Sequence, residues 1–235
     1  AINTFINYTN NFDTKNPKID LKIKHSIRVM KISEEIARKK VLDKEQIELA
    51  SLIGLLHDIG RFKQYTKYKT YTDHISIDHG DLGVEILFEE NKIKDYVTEE
   101  KYYKIIEEAI KNHNKYILET KNFTNQEKLF CELIKDADKI DILYEAAEIF
   151  WKGEEERVQK SIITKEVEKN FLDKKLIENK IKETEADKIV GMISFIYDIN
   201  FKESFEIIKE RDYINKIINR FNYEKEKTKE KIEKI

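Results

Sequence analysis

The sequence predicts an all-α protein, a helical bundle with additional helices at its C-terminal end. Three observations carry this expectation. One Pro and six Gly in 235 residues are too few for strands joined by tight hairpins. Lys, Glu and Ile dominate the chain, as in helices joined by short polar turns. Ile recurs at spacings of three and four, the helical period, rather than at two.

The first long helix is expected after Pro17, running to about Lys40, with Ile19, Ile23, Ile27, Met30 and Ala37 as its apolar stripe. A second starts at Asp43, which with Gln46 reads as a capping box, and continues through Ile47, Ala50, Ile53 and Leu56 to about Gly60. Its stretch LASLIGLLHDIG is apolar nearly all round, which places this helix at the centre. A third covers 81–90. A fourth starts near residue 98 and carries Ile105, Ile106, Ala109, Ile110 and His113. A fifth covers 125–150, with Leu129, Leu133, Ala137, Ile140 and Tyr144 on one face. Further helices are expected at 164–171, 185–199, 201–209 and 213–221, and the Glu/Lys-rich tail 223–235 reads as a solvated helix end. The segment 61–78, with Tyr65, Tyr68, Tyr71, Asp73, His74 and Ser76, breaks the helical pattern. It reads either as a surface loop with locally packed tyrosines or as a substrate-facing lid, since long structureless connections inside a domain are usually functional. No repeat or linker divides the chain. A single domain over 1–235 is expected, with its motif-bearing core at about 18–150 and further helices at about 151–235.

Composition excludes several classes. Acidic residues number 46 against 44 basic ones, a net charge of −2, so no basic field argues for nucleic acid or a membrane surface. The longest apolar stretch, 50–56, falls far short of the ~20 residues that span a bilayer. The segment AINTFINYTN lacks the charged and apolar regions of a leader, so a cytoplasmic location is expected. Cys131 stands alone within an apolar helical pattern and is expected in the core.

The residues that suggest chemistry are histidines and aspartates. Four of the five histidines, His25, His57, His79 and His113, fall on or at the ends of helices that also carry core stripes. His57-Asp58 closes a helix so apolar that a buried charge there needs a partner. An imidazole and a carboxylate side by side make sense if both face a cation. In KDADKID, Asp138 and Asp141 share a helix face, while Asp136 and Lys139 are expected to point to solvent. The alternative is a solvated acidic face with Lys135 and Lys139 as counter-charges. Imidazole with carboxylate suits Fe, Mn, Co, Ni or Zn better than Ca.

The order His25, His57-Asp58, His79, His113 and Asp138, carried by the strings HDIGRF, SIDHGDLG, IKNHN and DADKID, resembles the HD superfamily of metal-dependent phosphohydrolases. The resemblance covers about half the chain. It implies an HD-type helical bundle in which His25, His57, Asp58 and Asp138 form the four-ligand site. His79 and His113 match the extra histidines of the binuclear branch, with Asp58 bridging the two ions. Asp141 has no ligand role in that pattern and is expected to support the ligands or the fold. The implied cofactors are two divalent transition-metal ions, with Mg an option at one position. Such a pair lowers the pKa of a shared water and draws in phosphoryl oxygens. The implied activity is hydrolysis of a phosphomonoester or phosphodiester, and the implied partner is a small phosphorylated molecule, a nucleotide among the candidates. A homo-oligomer is compatible with the sequence.

Asp58 and Arg61 are the expected catalytic residues, Arg61 being placed for a bidentate phosphate contact. Many binuclear members carry Lys at the position of Arg61. Arg keeps the charge but is a poor proton donor, so a leaving-group proton would come from His74, Asp73 or a metal-bound water. His74 has no ligand position in the pattern, and its roles stay open between loop packing, substrate contact, proton transfer and metal binding. Lys63, Tyr65, Asp73 and Ser76 are further candidates for substrate contact. The GYP string of the cyclic-dinucleotide branch is absent, and the guanosine-tetraphosphate hydrolases use a single-metal pattern without these extra histidines. Two other classes share the ligand order: di-iron HD oxygenases and non-catalytic nucleotide-sensing HD modules.

Overall fold

The computed structural model describes residues 1–224, 228, 230 and 231. Every regular element among them is helical. Contacts divide the chain into two compact units, Ala1–Asp138 and Lys139–Ile235.

In the first unit, α1 (Ile2–Thr9) buries Phe5, whose ring meets Phe62 edge-on at 5.8 Å. The α2 helix (Pro17–Lys39) begins where local chemistry dictates. Asn16 caps it by accepting from the Lys18 N–H, and Pro17 takes the first helical position, where no N–H is needed. Its buried face runs through Ile19, Ser26, Val29, Met30, Ser33, Ile36 and Ala37, while Ile23 and Ile27 of the expected stripe are only half-buried. The α3 helix (Lys44–Leu56) opens with the expected capping box, the Asp43 side chain on the Gln46 N–H and the Gln46 side chain on the Asp43 N–H. α2 and α3 pack along each other. Close approach is possible because Gly54 of α3 lies on the α2 backbone: a Cβ there would stand 2.9 Å from Val29 O.

The end of α2 shows how a glycine-poor chain turns. Val41 N–H bonds to Arg38 O at 2.9 Å and Leu42 N–H to Ala37 O at 3.1 Å, the paired bonds of a Schellman motif. The left-handed position that glycine usually takes is held by Val41, at φ 58 and 88% exposed. A β-branched residue gains nothing there and bears the left-handed penalty. Val41→Gly is therefore expected to stabilise the protein by about 0.5–1 kcal/mol in urea unfolding, after the entropy glycine loses on folding is deducted.

The chain does not turn at Gly60, as the sequence suggests. α3 ends at Leu56, His57 and Asp58 form the turn, and α4 (Ile59–Tyr68) follows at once. The first half of the segment read as irregular is thus helical. Only 69–78 is loop, with a 3-10 turn at Asp73–Ile75. Gly60 instead serves close packing: α4 crosses α5 (His79–Val84) so tightly that a Cβ on Gly60 would stand 2.3 Å from His79 O. A π-helical turn, Glu85–Glu89, continues α5. α6 (Tyr103–Asn112) carries Ile105, Ile106, Ala109 and Ile110 inward, with His113 at its end. α7 (Asn125–Glu148) begins in this unit.

The second unit contains α8 (Glu155–Gln159), α9 (Lys165–Leu172), α10 (Glu185–Ile193), α11 (Lys202–Glu210) and α12 (Tyr213–Asn219). Asp187 organises it: its carboxylate accepts from the backbone N–H groups of Thr164, Glu183 and Thr184 and completes the capping box of α10. Most of the tail 223–235, expected as a solvated helix end, lies outside the described residues.

On α7, Asp136 and Lys139 are buried rather than solvent-facing. Lys139 Nζ donates to Asp198 O at 2.9 Å and pairs with the Asp198 carboxylate. Lys135 is buried too, its ammonium donating to Lys115 O at 2.7 Å. The partners of Lys135 and Lys139 come from segments far along the chain, which local sequence patterns do not show.

Candidate metal centre

The first unit brings His25 (α2), His57 and Asp58 (the α3–α4 turn), His79 (start of α5), His113 (end of α6) and Asp138 (α7) into one cluster. All but Asp138 are buried by residue exposure. The His25, His57 and Asp58 donor atoms lie within 4.8 Å of one another, and so do those of Asp58, His79 and His113.

Asp58 belongs to both groups, and its two oxygens divide between them. Oδ2 stands 3.5 Å from His25 Nε2 and 3.6 Å from His57 Nε2. Oδ1 stands 3.3 Å from His79 Nε2 and 3.7 Å from His113 Nε2. Asp138 Oδ1 completes the first group, 3.1 Å from His25 Nε2 and 3.6 Å from His57 Nε2.

The opposite ring nitrogens decide what these atoms can bind. His57 Nδ1 lies 2.8 Å from Gly54 O, and His113 Nδ1 lies 2.7 Å from Ile110 O. His79 Nδ1 lies 2.8 Å from Asp73 Oδ2. A carbonyl or carboxylate only accepts, so in each ring Nδ1 carries the proton and Nε2 presents a lone pair. His79 Nε2 and His113 Nε2 then face each other at 2.9 Å. Facing lone pairs at hydrogen-bond distance repel unless a cation lies against them. The donor set therefore fits metal ions.

Charge points the same way. Burial pushes His57 down from its ordinary value against the pull of Asp58 and Asp138. Burial likewise lowers His79, to about 4, despite the Asp73 hydrogen bond. Both are neutral ligands near pH 7. Burial opposes the charge on Asp58, but Lys22, His57, His113 and Arg61 outweigh it and hold the carboxyl well below the usual range. Burial opposes Asp138 too, and His25 and His57 hold it down. Ionised carboxylates beside neutral imidazoles are the protonation states a metal requires.

Around this cluster lies a second layer of polar residues. Asp73 is its hub: Oδ2 orients His79, while Oδ1 accepts from Arg61 NH1 at 2.8 Å and Gln64 Nε2 at 2.9 Å. Arg61 is a strut. Its NH1 also reaches Gln64 Oε1 and Tyr71 O, and its Nε stands 3.4 Å from Asp58 Oδ1. Asn114 donates to Asp73 and Asp78, and Lys115 pairs with Asp78.

The other sequence candidates are not all brought to the cluster. Lys63 pairs with Glu85 and Glu90 on the exposed side of α4. His74 is exposed on the 3-10 turn. Ser76 braces the loop by donating to Thr72 O and accepting from Gln64. Tyr65 stacks on Tyr71 with ring centroids 4.9 Å apart. Asp141 is buried one turn beyond Asp138 and belongs to the second compact unit. Cys131 is buried, and burial pushes its thiol up to about 12, so it is no nucleophile.

Sequence reasoning missed Lys22 and Gln64. Lys22 Nζ stands 2.7 Å from Asp58 Oδ2, its side chain only 18% exposed. Helical spacing carried a signal for both, since Lys22 is three residues before His25 and Gln64 three after Arg61.

The HD domain family model matches residues 23–143. No curated protein and no solved structure matches the chain. The chain belongs to the HD domain family, and with it to the superfamily of metal-dependent phosphohydrolases. Among the described residues, no helix is long and apolar enough to cross a membrane.

Proposed function

We propose that this cluster holds two divalent transition-metal ions and that the protein uses them to hydrolyse a phosphate ester, with nucleotides among the candidate substrates. The observation that carries the reading is the division of the Asp58 oxygens between two histidine pairs. His25, His57, Asp138 and Asp58 Oδ2 would hold one ion, and His79, His113 and Asp58 Oδ1 the other. The nitrogen-rich donor set favours Fe, Mn, Co, Ni or Zn. When bound, such a pair lowers the pKa of a shared water and stabilises charge building on phosphoryl oxygens.

The chain's own residues prepare this chemistry. Gly54 O, Ile110 O and Asp73 fix the tautomers of His57, His113 and His79, so their lone pairs face the cluster. Arg61 ties Asp58 to Asp73 and keeps the two histidine pairs in register. Lys22 neutralises Asp58. Once cations take that role, its ammonium is free to bind a substrate phosphoryl oxygen.

Chelator-stripped protein reloaded separately with Mn, Fe, Co, Ni or Zn is expected to release phosphate from an aryl phosphate or a nucleotide panel, with at least one metal active. Equal inertness of stripped and reloaded protein would overturn the reading. Lys22→Met is expected to bind metal more tightly, because no ammonium competes for Asp58. It should also raise KM for the aryl phosphate about tenfold or more, the loss of one charge-assisted contact. Unchanged KM would remove Lys22 from the phosphate.

A further inference from the structure

Beside the cluster lies a strip of cations and tyrosines, of which the outer members, Tyr65, Lys18 and Lys69, make no contact with the ligand set. Tyr71, whose hydroxyl donates to Lys18 O at 2.9 Å, is fixed against the start of α2. Lys22 Nζ and Arg61 Cζ stand 5.8 and 5.7 Å from its ring centroid. Tyr65 stacks on Tyr71 at 4.9 Å and carries the next pair, with Lys18 Nζ at 5.5 Å and Lys69 Nζ at 6.0 Å from its centroid.

The two pairs differ in what neutralises them. Lys22 is paired with Asp58, and Arg61 with Asp73 and Asp58. Lys18 and Lys69 are exposed and have no acidic partner among the described residues. Lys18 also occupies the first turn of a 23-residue helix, where the macrodipole opposes a cation. An anion bound there would be favoured by both ammonium groups and by the helix macrodipole. Two unpaired ammonium groups match a phosphate, with a charge of roughly −1.5 to −2, better than a singly charged carboxylate.

Resting on the phosphohydrolase reading, we propose that Lys18 and Lys69, ranged over Tyr65, form a subsite for a second phosphate group of the substrate. The preferred substrate is then a phosphate ester bearing another phosphate on the same molecule. One phosphate would lie at the cations held by Asp58, beside Lys22, and the other is held at Tyr65. The tyrosine pair forms the wall between them and sets the span that suits the subsite.

The test uses probes that cannot be hydrolysed: alkyl monophosphonates, α,ω-bisphosphonates of increasing spacer length, and ω-carboxyalkyl phosphonates, titrated calorimetrically into Mn-loaded protein. A bisphosphonate of matching span is expected to bind about tenfold or more tightly than the monophosphonate, as a tethered second contact does. That ratio should fall to near one in the Lys18→Met/Lys69→Met double variant and persist in Lys18→Arg/Lys69→Arg. The subsite is refuted if no spacer gives a gain, or if the gain survives in the Met variant. An equal gain from the carboxyalkyl probe would overturn the phosphate assignment. Failure of even the monophosphonate to bind would count against the metal-site reading itself, a different result from loss of the spacer effect.

Discussion

Asp58→Ala is expected to abolish retention of both metal ions together and to lower phosphate release by on the order of 10³-fold or more, about 4 kcal/mol of barrier. No other single residue should do this. His25, His57 and Asp138 serve one histidine group and His79 and His113 the other, whereas the two Asp58 oxygens serve both. Far-UV circular dichroism should stay helical, because Asp58 lies in the turn before α4, where its side chain makes no cap bond, and Lys22, partly exposed, can turn to water. Metal content by elemental analysis and phosphate release are the two readouts. Activity surviving at the wild-type level would sink the assignment of Asp58 as the shared ligand.

Gly60→Ala is expected to be the most damaging of the glycine substitutions, costing about 3 kcal/mol in urea unfolding. Alanine gains up to about 1 kcal/mol in helix propensity. Against that, its Cβ would stand 2.3 Å from His79 O and 2.9 Å from Gly83 N, both backbone atoms of a packed helix. α5 must move, and His79 moves with it, so the His79–His113 group should lose metal first. Gly191→Ala is the contrasting case. The nearest atoms to its Cβ would all belong to the flexible Lys182 side chain, which can swing away, so that variant should be neutral or stabilising. Equal effects at the two glycines would refute the account of the α4–α5 crossing.

These outcomes separate what sequence patterns carry from what only packing decides. The starts of α2 and α3 were legible because Asn16, Pro17, Asp43 and Gln46 act on backbone groups within three residues. α4 was not, because Phe62 alone continues an apolar stripe through a run of Lys, Gln, Tyr and Thr. Gly60 read as a turn because glycine's freedom is visible in sequence, whereas the approach of another helix is not. The six His and Asp positions were legible through their order. Their partition around Asp58 needed coordinates, as did the roles of Arg61 and Lys22. Arg61 reads from sequence as a free phosphate grip. The loop at 69–78 folds back so that Asp73 and Tyr71 O occupy its NH1. Asp136 and Lys139 read as solvated charges, since burial of a charge depends on partners far along the chain.

The central claim is that Asp58 joins two metal positions. Its most direct test is the number of ions per chain, measured by elemental analysis on protein purified without a metal-affinity step, then stripped and reloaded with Mn. The account predicts two ions in the wild type, one in His79→Ala/His113→Ala, and none in Asp58→Ala. A single ion in the wild type, or a His79→Ala/His113→Ala variant that still holds two, would contradict it.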